Sequence, residues 1–400
     1  MAQQASKAGN SYDQLEFVGF YEALVSECYG GTAAEDVRYY SELFMQKWTS
    51  CRHTSSGAPS ESSFVLVDLG CGSGRATLAI LDCLVEHGRK HAISSSSLSS
   101  SSQGVLSWSP GAQLRIYCID NSQAMLSAAE SKVTAHLNTH PYRPAITVKF
   151  LRESFQDWHL PAPDIAADYI IVAAAGLHHV LETHQLQTCM QLMVKQLSPD
   201  GLCVVSYLPW SELCREPLAA AAGQSAQEFQ VSGYTRKLLS RTVTTVSATK
   251  AQPGLITASA ALVSAASKSG ITMQFGETAA AGSAVGGMKS KDSDIDNTYR
   301  ILNETFTLTK FVPLVGGADG CCPGPAGGCV DGGCVIEDGS RGEVAWSIQE
   351  GWQLRQIERE DLLHWGLESG LREAEDCCSA RACKHSHHGT CCIVFRKLQP

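Results

Sequence analysis

Apolar residues along this chain fall into short continuous runs separated by amphipathic stretches of helical period. Residues 64–69 form a β-branched and aliphatic run that ends at glycines, and Thr77, Ile80, Leu81 and Leu84 follow at helical spacing until His87 and Gly88. The alternation recurs with a strand over 114–119, then Met125, Leu126, Ala129, Val133 and Leu137 on one face of a helix. A third strand is predicted over 146–151 and a fourth over 169–173. Leu186, Cys189, Met190, Met193, Val194 and Leu197 make the cleanest amphipathic helix of the chain, stopped by 198–201 and followed by a fifth strand over 202–208. Repeated strand–helix units with near-continuous apolar strands predict an α/β fold, a parallel sheet covered by helices on both faces. Near the end, 362–371 reads as a helix and 390–397 as a late strand suited to an antiparallel edge.

Between these units the pattern breaks down. Residues 92–113 hold two runs of four serines, Ser94 to Ser97 and Ser99 to Ser102, and bury too little apolar surface to offset their ordering entropy, so a disordered loop is expected. Residues 218–293 are rich in Ala, Ser, Thr and Gly, which predicts a mostly mobile stretch with a short helix over 229–239. A Gly-rich loop with four cysteines follows over 316–342. Residues 297–309 alternate like a strand, and 343–349 and 351–357 read as two more.

Composition narrows the function classes. The chain has 400 residues, 44% of them hydrophobic and 18% charged, values of a globular protein. Acidic residues outnumber basic ones 40 to 31, which leaves no electrostatic footprint for a phosphate backbone and argues against a nucleic-acid partner. No apolar run approaches a membrane span and residues 1–13 lack signal or transit character, so no membrane partner and a cytoplasmic location are expected. Seventeen cysteines in a chain of this length without an export signal are read as reduced thiols.

The candidate chemistry begins at Asp68-Leu69-Gly70-Cys71-Gly72-Ser73-Gly74-Arg75, where a strand gives way to a helix, the position at which α/β sheets bind ligands. Glycines there permit a tight turn without a Cβ between backbone and ligand, and the helix N-terminus supplies free N–H donors. A dinucleotide fingerprint needs a third glycine where Arg75 stands, so that reading fails. What remains resembles the first motif of class I S-adenosylmethionine-dependent methyltransferases, in which an acid, here Asp68, precedes G-x-G-x-G by two residues. The resemblance implies a Rossmann-like sheet with an antiparallel C-terminal edge and S-adenosyl-L-methionine as cofactor, held by Asp68, Gly70, Cys71, Gly72 and Gly74. A carboxylate ending the second strand pairs with the ribose hydroxyls in that family, and Asp120, followed by Asn121, matches it; it lies 46 positions after Gly74, the Ser-rich insertion accounting for the excess. Where the family often places an acid for the adenine amino group, this chain has Arg152-Glu153-Ser154-Phe155, with Ser154 at the matching position. Adenine recognition is then left to Ser154, Phe155 and backbone groups, with Ala173 beside the cofactor.

Substrate-facing residues of the family follow the fourth strand, often with a histidine, and here the sequence is Ala173-Ala174-Ala175-Gly176-Leu177-His178-His179. One of His178 and His179 could orient the acceptor or take its proton, the alternative being that His179 only bonds a neighbouring loop. Sequence between the fifth strand and last helix usually shapes acceptor choice. Its strands resemble the sheet inserted by glycine and amino-sugar N-methyltransferases, with Arg355 or Tyr299 as acceptor contacts. The implied organisation is a helical N-terminal cap over 1–59, a cofactor-binding core over 60–210, an insertion or lid over 211–358, and a helix and strand over 359–400 completing the core. The expected reaction is methyl transfer to a nitrogen or oxygen of a small-molecule acceptor. Its rivals are a non-catalytic methyltransferase-like scaffold that binds cofactor or metal, and an arsenite methyltransferase using thiolates, for which Cys51 and Cys203 are approximate matches.

The Cys- and His-rich stretch 377–392 lacks paired C-x-x-C spacing, so no metal site is assigned to it. If 390–397 is the last strand, Cys391 and Cys392 are strand residues, one buried and one not.

Overall fold

A computed structural model describes residues 11–28, 31–53, 63–96, 113–140, 145–174, 176–214, 228–247, 298–312, 343–376 and 390–398. The chain divides into two compact units, residues 1–244 with 301–400 and residues 245–300. Only the ends of the second lie among the described residues, and the account below concerns the first. The Cys-rich loop 316–342, most of the low-complexity stretch and the 377–389 segment fall outside the described residues.

The main sheet has seven strands: β1 (Ser63–Leu69), β2 (Gln113–Asp120), β3 (Ala145–Arg152), β4 (Ala167–Val172), β5 (Leu197–Tyr207), β10 (Leu371–Asp376) and β11 (Cys391–Lys397). Their order is β10-β11-β5-β4-β1-β2-β3. β3, β2, β1, β4 and β5 run parallel, and β11 pairs antiparallel with both β5 and β10. Alternate residues of each strand serve opposite faces. Val65, Val67 and Leu69 pack with α5 (Thr183–Gln196) and α7 (Arg359–Ser369). Phe64 and Leu66 pack with α2 (Glu35–His53) and α3 (Arg75–Ser96). Tyr40 and Phe44 of α2 are buried there, so that stretch serves the core.

Sequence and structure part company at several places. α3 continues through His87 and Gly88 to Ser96, into the Ser-rich stretch expected to be a disordered loop, of which 97–112 lie outside the described residues. Residues 229–239 form a hairpin instead of a helix: β6 (Glu228–Val231) and β7 (Tyr234–Ser247) pair antiparallel. Ser232 and Gly233, at φ 42° and 73°, make the turn, both central residues at positive φ as tight hairpins require. The two short strands expected after residue 343 are one, β9 (Glu343–Arg355), paired with β8 (Thr298–Val312) in a second sheet of order β6-β7-β8-β9. Cys391 and Cys392 are both buried, since β11 lies between two strands and both of its faces are covered.

The second sheet packs Phe306 and Leu308 against Phe17, Phe20 and Leu24 of α1 (Leu15–Cys28) and Met125 of α4 (Gln123–Thr139). Within it Glu304 is buried between the guanidinium groups of Arg236 and Arg241, 2.7 and 2.6 Å away, and Arg236 lies over the rings of Phe306 and Trp352. The packing brings the N-terminal helix and β9 to the C-terminal ends of β1, β2 and β4. Among the described residues no helix is long and apolar enough to cross a membrane.

Candidate active site

Asp68, the next-to-last residue of β1, is 0% exposed. Its Oδ2 accepts from the Thr77 hydroxyl at 2.7 Å and the Thr77 backbone N–H at 3.2 Å, whereas Oδ1 has no hydrogen-bond partner. Burial pushes its pKa up to about 6 against the lowering effect of the Thr77 bonds, with the nearby Asp120 charge adding to the rise. The chain then turns through Gly70, Gly72 and Gly74, all at positive φ (73°, 52° and 84°). A Cβ on Gly70 would stand 2.6 Å from the Phe155 ring, and one on Gly74 would stand 3.2 Å from Ala129 Cβ. The first of these glycines therefore keeps the backbone open toward the cleft and the third lets α4 approach. Cys71 points inward, its N–H donating to the Ile119 carbonyl, and its thiol is raised in pKa by neighbouring Cys118 and by burial.

Asp120, at the end of β2, meets the loop. Its Oδ2 accepts from the Gly72 N–H at 2.8 Å and its Oδ1 from the Ser122 N–H at 2.9 Å. The Asn121 N–H also bonds this carboxylate, so of its roughly four lone-pair positions one is left for a further donor. Burial raises its pKa, and the backbone donors oppose that shift. Ser122 in turn caps α4 through Met125 N–H and donates to the Tyr12 carbonyl at 2.6 Å. Gln123 N–H donates to Asp13, and Arg152 lies 3.7 Å from the same carboxylate. These bonds hold residues 11–13 over the strand ends. Arg75, which occupies the third-glycine position of a dinucleotide motif, opens α3 and pairs with Asp36 and the Gly31 carbonyl, so it ties the N-terminal helices to the loop.

The loop, Asp120 and Asn121 form one side of a cleft of about 450 Å³. Ser154, Phe155 and Ala173 line it, as the sequence suggests, and so does His179. Asp68, Cys71, Gly74 and His178 do not line it; the first three support the loop from behind. The Ser154 hydroxyl donates to Asp157 at 2.6 Å and accepts from the Gln156 N–H at 3.3 Å. His178 and His179 both lie on the 3-10 turn 176–179 and face different surroundings. His178 is buried, with both ring nitrogens engaged by backbone, which removes it from contact with an acceptor. His179 is exposed to the cleft, and its Nε2 lies 3.3 Å from the Tyr12 hydroxyl. The protein packed around it pushes its pKa downward, so the imidazole is neutral near pH 7.

Tyr12, Tyr21, Trp352 and Gln353 also line the cleft, and pattern reading missed them. Tyr12 and Tyr21 sit among Phe17 and Phe20 in an aromatic run that looks like core, and Trp352–Gln353 lie mid-strand with no motif to mark them. Arg355 is buried, bonded to the Leu181 carbonyl and the Thr183 hydroxyl, and does not line the cleft, so it is not an acceptor contact. Among the described residues no cysteine lines the cleft: Cys203 is buried in β5 with its thiol pushed up to about 12, and Cys51 lies on α2, so neither offers a thiolate for arsenic. Nor does any group of three or more His, Cys, Asp or Glu among these residues suit a metal ion.

The site fits S-adenosylmethionine on its own chemistry. It offers a glycine cradle that a Cβ would fill, a buried carboxylate with one orphaned oxygen beneath it, and a second carboxylate at the lip of the cleft.

Residues 102–201 match the family described as methyltransferase domain. The matched stretch includes Asp120 and both histidines and leaves out the glycine loop. No curated protein matches the chain. Among solved structures the chain is similar to an S-adenosylmethionine-dependent methyltransferase from Clostridium acetobutylicum (11% identity, covering 98% of this chain and 100% of that one, TM-score 0.46). It is also similar to a sugar N-methyltransferase from Streptoalloteichus (11% identity, 100% and 99% covered, TM-score 0.44). Neither likeness bears on the acceptor.

Proposed function

We propose that this chain, a class I S-adenosylmethionine-dependent methyltransferase by its matched domain and sheet order, methylates a small-molecule amine held between His179 and the second sheet. The observation that carries the reading is the joining in one cleft of Gly70, Gly72 and Asp120 with Tyr12, His179 and Trp352. In this reading the loop and Asp120 hold the cofactor's amino-acid and ribose ends, with Asp68 supporting the loop from below. Ser154 and Phe155 face the adenine.

When bound, the cofactor supplies a methyl group on a sulfonium, already a good electrophile. The protein's part is then to align a nucleophile and exclude water. A carbon–nitrogen bond forms as the carbon–sulfur bond breaks. A neutral imidazole beside the Tyr12 hydroxyl is a hydrogen-bond acceptor for an N–H of the incoming amine, and it favours the free base, which alone has a lone pair. The methylated product can keep its proton as an ammonium, so no strong base is needed. An alcohol would need one, and a histidine of lowered basicity is poorly matched to that task. Amine transfer is for this reason preferred over oxygen transfer. Within the insertion, β9 would serve as the inner wall of the acceptor side through Gly351, Trp352 and Gln353.

Calorimetric titration of the reduced protein with S-adenosylmethionine, with NAD as control and Asp68→Ala alongside, tests the cofactor half. Micromolar binding lost in the variant is expected, and a screen of amino sugars, amino acids, simple alcohols and arsenite then tests the acceptor half. A well-folded parent that binds no S-adenosylmethionine, once retained S-adenosylhomocysteine is excluded, would overturn the reading in favour of a non-catalytic scaffold.

A further inference from the structure

His178 is 1% exposed, yet both of its ring nitrogens have work. Nδ1 lies 2.6 Å from the Arg355 carbonyl oxygen, and Nε2 lies 3.0 Å from the Leu208 backbone nitrogen. A carbonyl can only accept and a backbone N–H can only donate, so the partners require a proton on Nδ1 and a lone pair on Nε2. The imidazole is thus held neutral in one tautomer, as its depth in the protein favours.

The two partners belong to different parts of the fold. Leu208 follows β5 of the main sheet, and Arg355 is the last residue of β9 in the second sheet. The Arg355 side chain returns the grip, donating to the Leu181 carbonyl and the Thr183 hydroxyl at 2.9 Å each, just beyond the turn that carries both histidines. Its guanidinium lies 5.5 Å from the centre of the Trp365 ring. Two and three residues before Arg355 on the same strand come Gln353 and Trp352, which line the same cleft as His179.

We infer that His178 is a positioning residue: as the Nδ1–H tautomer it pins the end of β9 to the turn 176–179 and so sets where Trp352 and Gln353 stand relative to His179. The acceptor half of the cleft takes its width from this pin. The function assigned to that half rests on the reading given above; the pin itself does not.

Two substitutions separate the two bonds. His178→Asn keeps an amide donor near the Nδ1 position and loses the acceptor for Leu208. His178→Gln reaches the Nε2 position with a carbonyl and loses the donor to Arg355. Hydrogen exchange of the intact protein is expected to quicken about fivefold at amides 351–355 in His178→Gln and to stay within about twofold of the parent there in His178→Asn, with the order reversed at Leu208. Nitrogen-15 spectra of the histidine-labelled parent should show His178 protonated on Nδ1 at neutral pH, a measurement that needs no variant to fold. S-adenosylhomocysteine affinity should stay within about threefold in both variants, one small interaction's worth. Equal loosening of β9 in both variants, or an Nε2–H tautomer in the parent, would overturn the inference. A parent that shows the expected exchange pattern but binds no S-adenosylhomocysteine would strike the functional reading alone.

Discussion

The Gly72 backbone N–H and the Asp120 carboxylate, 48 residues apart, are joined at 2.8 Å across the ends of two parallel strands. The carboxylate therefore has two duties: it fixes the glycine turn now and keeps a lone pair for a hydroxyl donor. Replacing Asp120 by Ala should weaken S-adenosylmethionine binding by about 100-fold or more, because charge-assisted bonds are lost and the turn is released together. Asp120→Asn should fall between. Titration calorimetry checks this, and an Asp120→Ala protein binding within threefold of the parent would contradict the assignment.

Asp68 makes stability depend on pH. In the fold it titrates near 6, against 3.8 for an unperturbed carboxyl, so the native state holds its proton more firmly than the unfolded chain. Its contribution is complete below pH about 4 and is lost as pH rises through about 6. Asp68→Asn keeps an acceptor for Thr77 without a charge to bury. Relative to Asp68→Asn, the parent should lose on the order of 2–3 kcal/mol between pH 4 and 6.5 in urea titrations. Parallel curves for the two proteins would show that Asp68 is not held protonated.

His179 should matter to turnover more than to cofactor affinity. With an amine found by the acceptor screen, His179→Ala is expected to cut kcat by roughly 10²-fold or more, and Tyr12→Phe by about tenfold, while S-adenosylhomocysteine affinity changes little. Because His179 is neutral well below its ordinary pKa, kcat/KM should climb with the acceptor amine's own ionisation and show no step near 6.5. A step there that vanishes in His179→Ala would refute the neutral-imidazole role.

Gly70→Ala combines a φ of 73° with a Cβ 2.6 Å from the Phe155 ring. A loss of about 1–3 kcal/mol in thermal or urea unfolding is expected, because an L side chain is strained at that φ whatever the space. The displaced ring should also weaken S-adenosylmethionine binding. Adding Phe155→Ala relieves the clash and not the backbone, so stability should return only in part. Full recovery would mean that the glycine is there for space alone.

The parallel core was legible because its strands are buried on both faces: Phe64 to Val67 and Ile116 to Ile119 read as unbroken apolar runs, each followed by an Asp. The same double burial undid the expectation for Cys391 and Cys392, since one-sided exposure was assumed for a strand that turned out to be internal. Residues 229–239 were misread because Phe229, Leu238 and Leu239 suit a helix as well as a strand. The Ser232-Gly233 pair was the decisive turn signal, and it was visible in the sequence. Of the site, the parts tied to local backbone needs were readable, namely the glycines and the acids ending β1 and β2. Tyr12, Trp352 and the division of labour between His178 and His179 were not, because they depend on how distant segments meet: neighbouring histidines on one tight turn look alike until β9 arrives to claim one of them.

The register of β11 has a consequence for how the molecule comes into being. Tyr207 pairs with Cys391 and Leu202 with Arg396, so the sheet's interior cannot close until a segment nearly two hundred residues downstream has been synthesised and has found its slot. Such distant pairings slow folding far more than they cost equilibrium stability, because closure entropy grows only by about 0.6 kcal/mol for each doubling of the loop. A chain that has emerged only as far as β5 carries an unpaired apolar strand edge, and that waiting edge is where self-association during synthesis would begin.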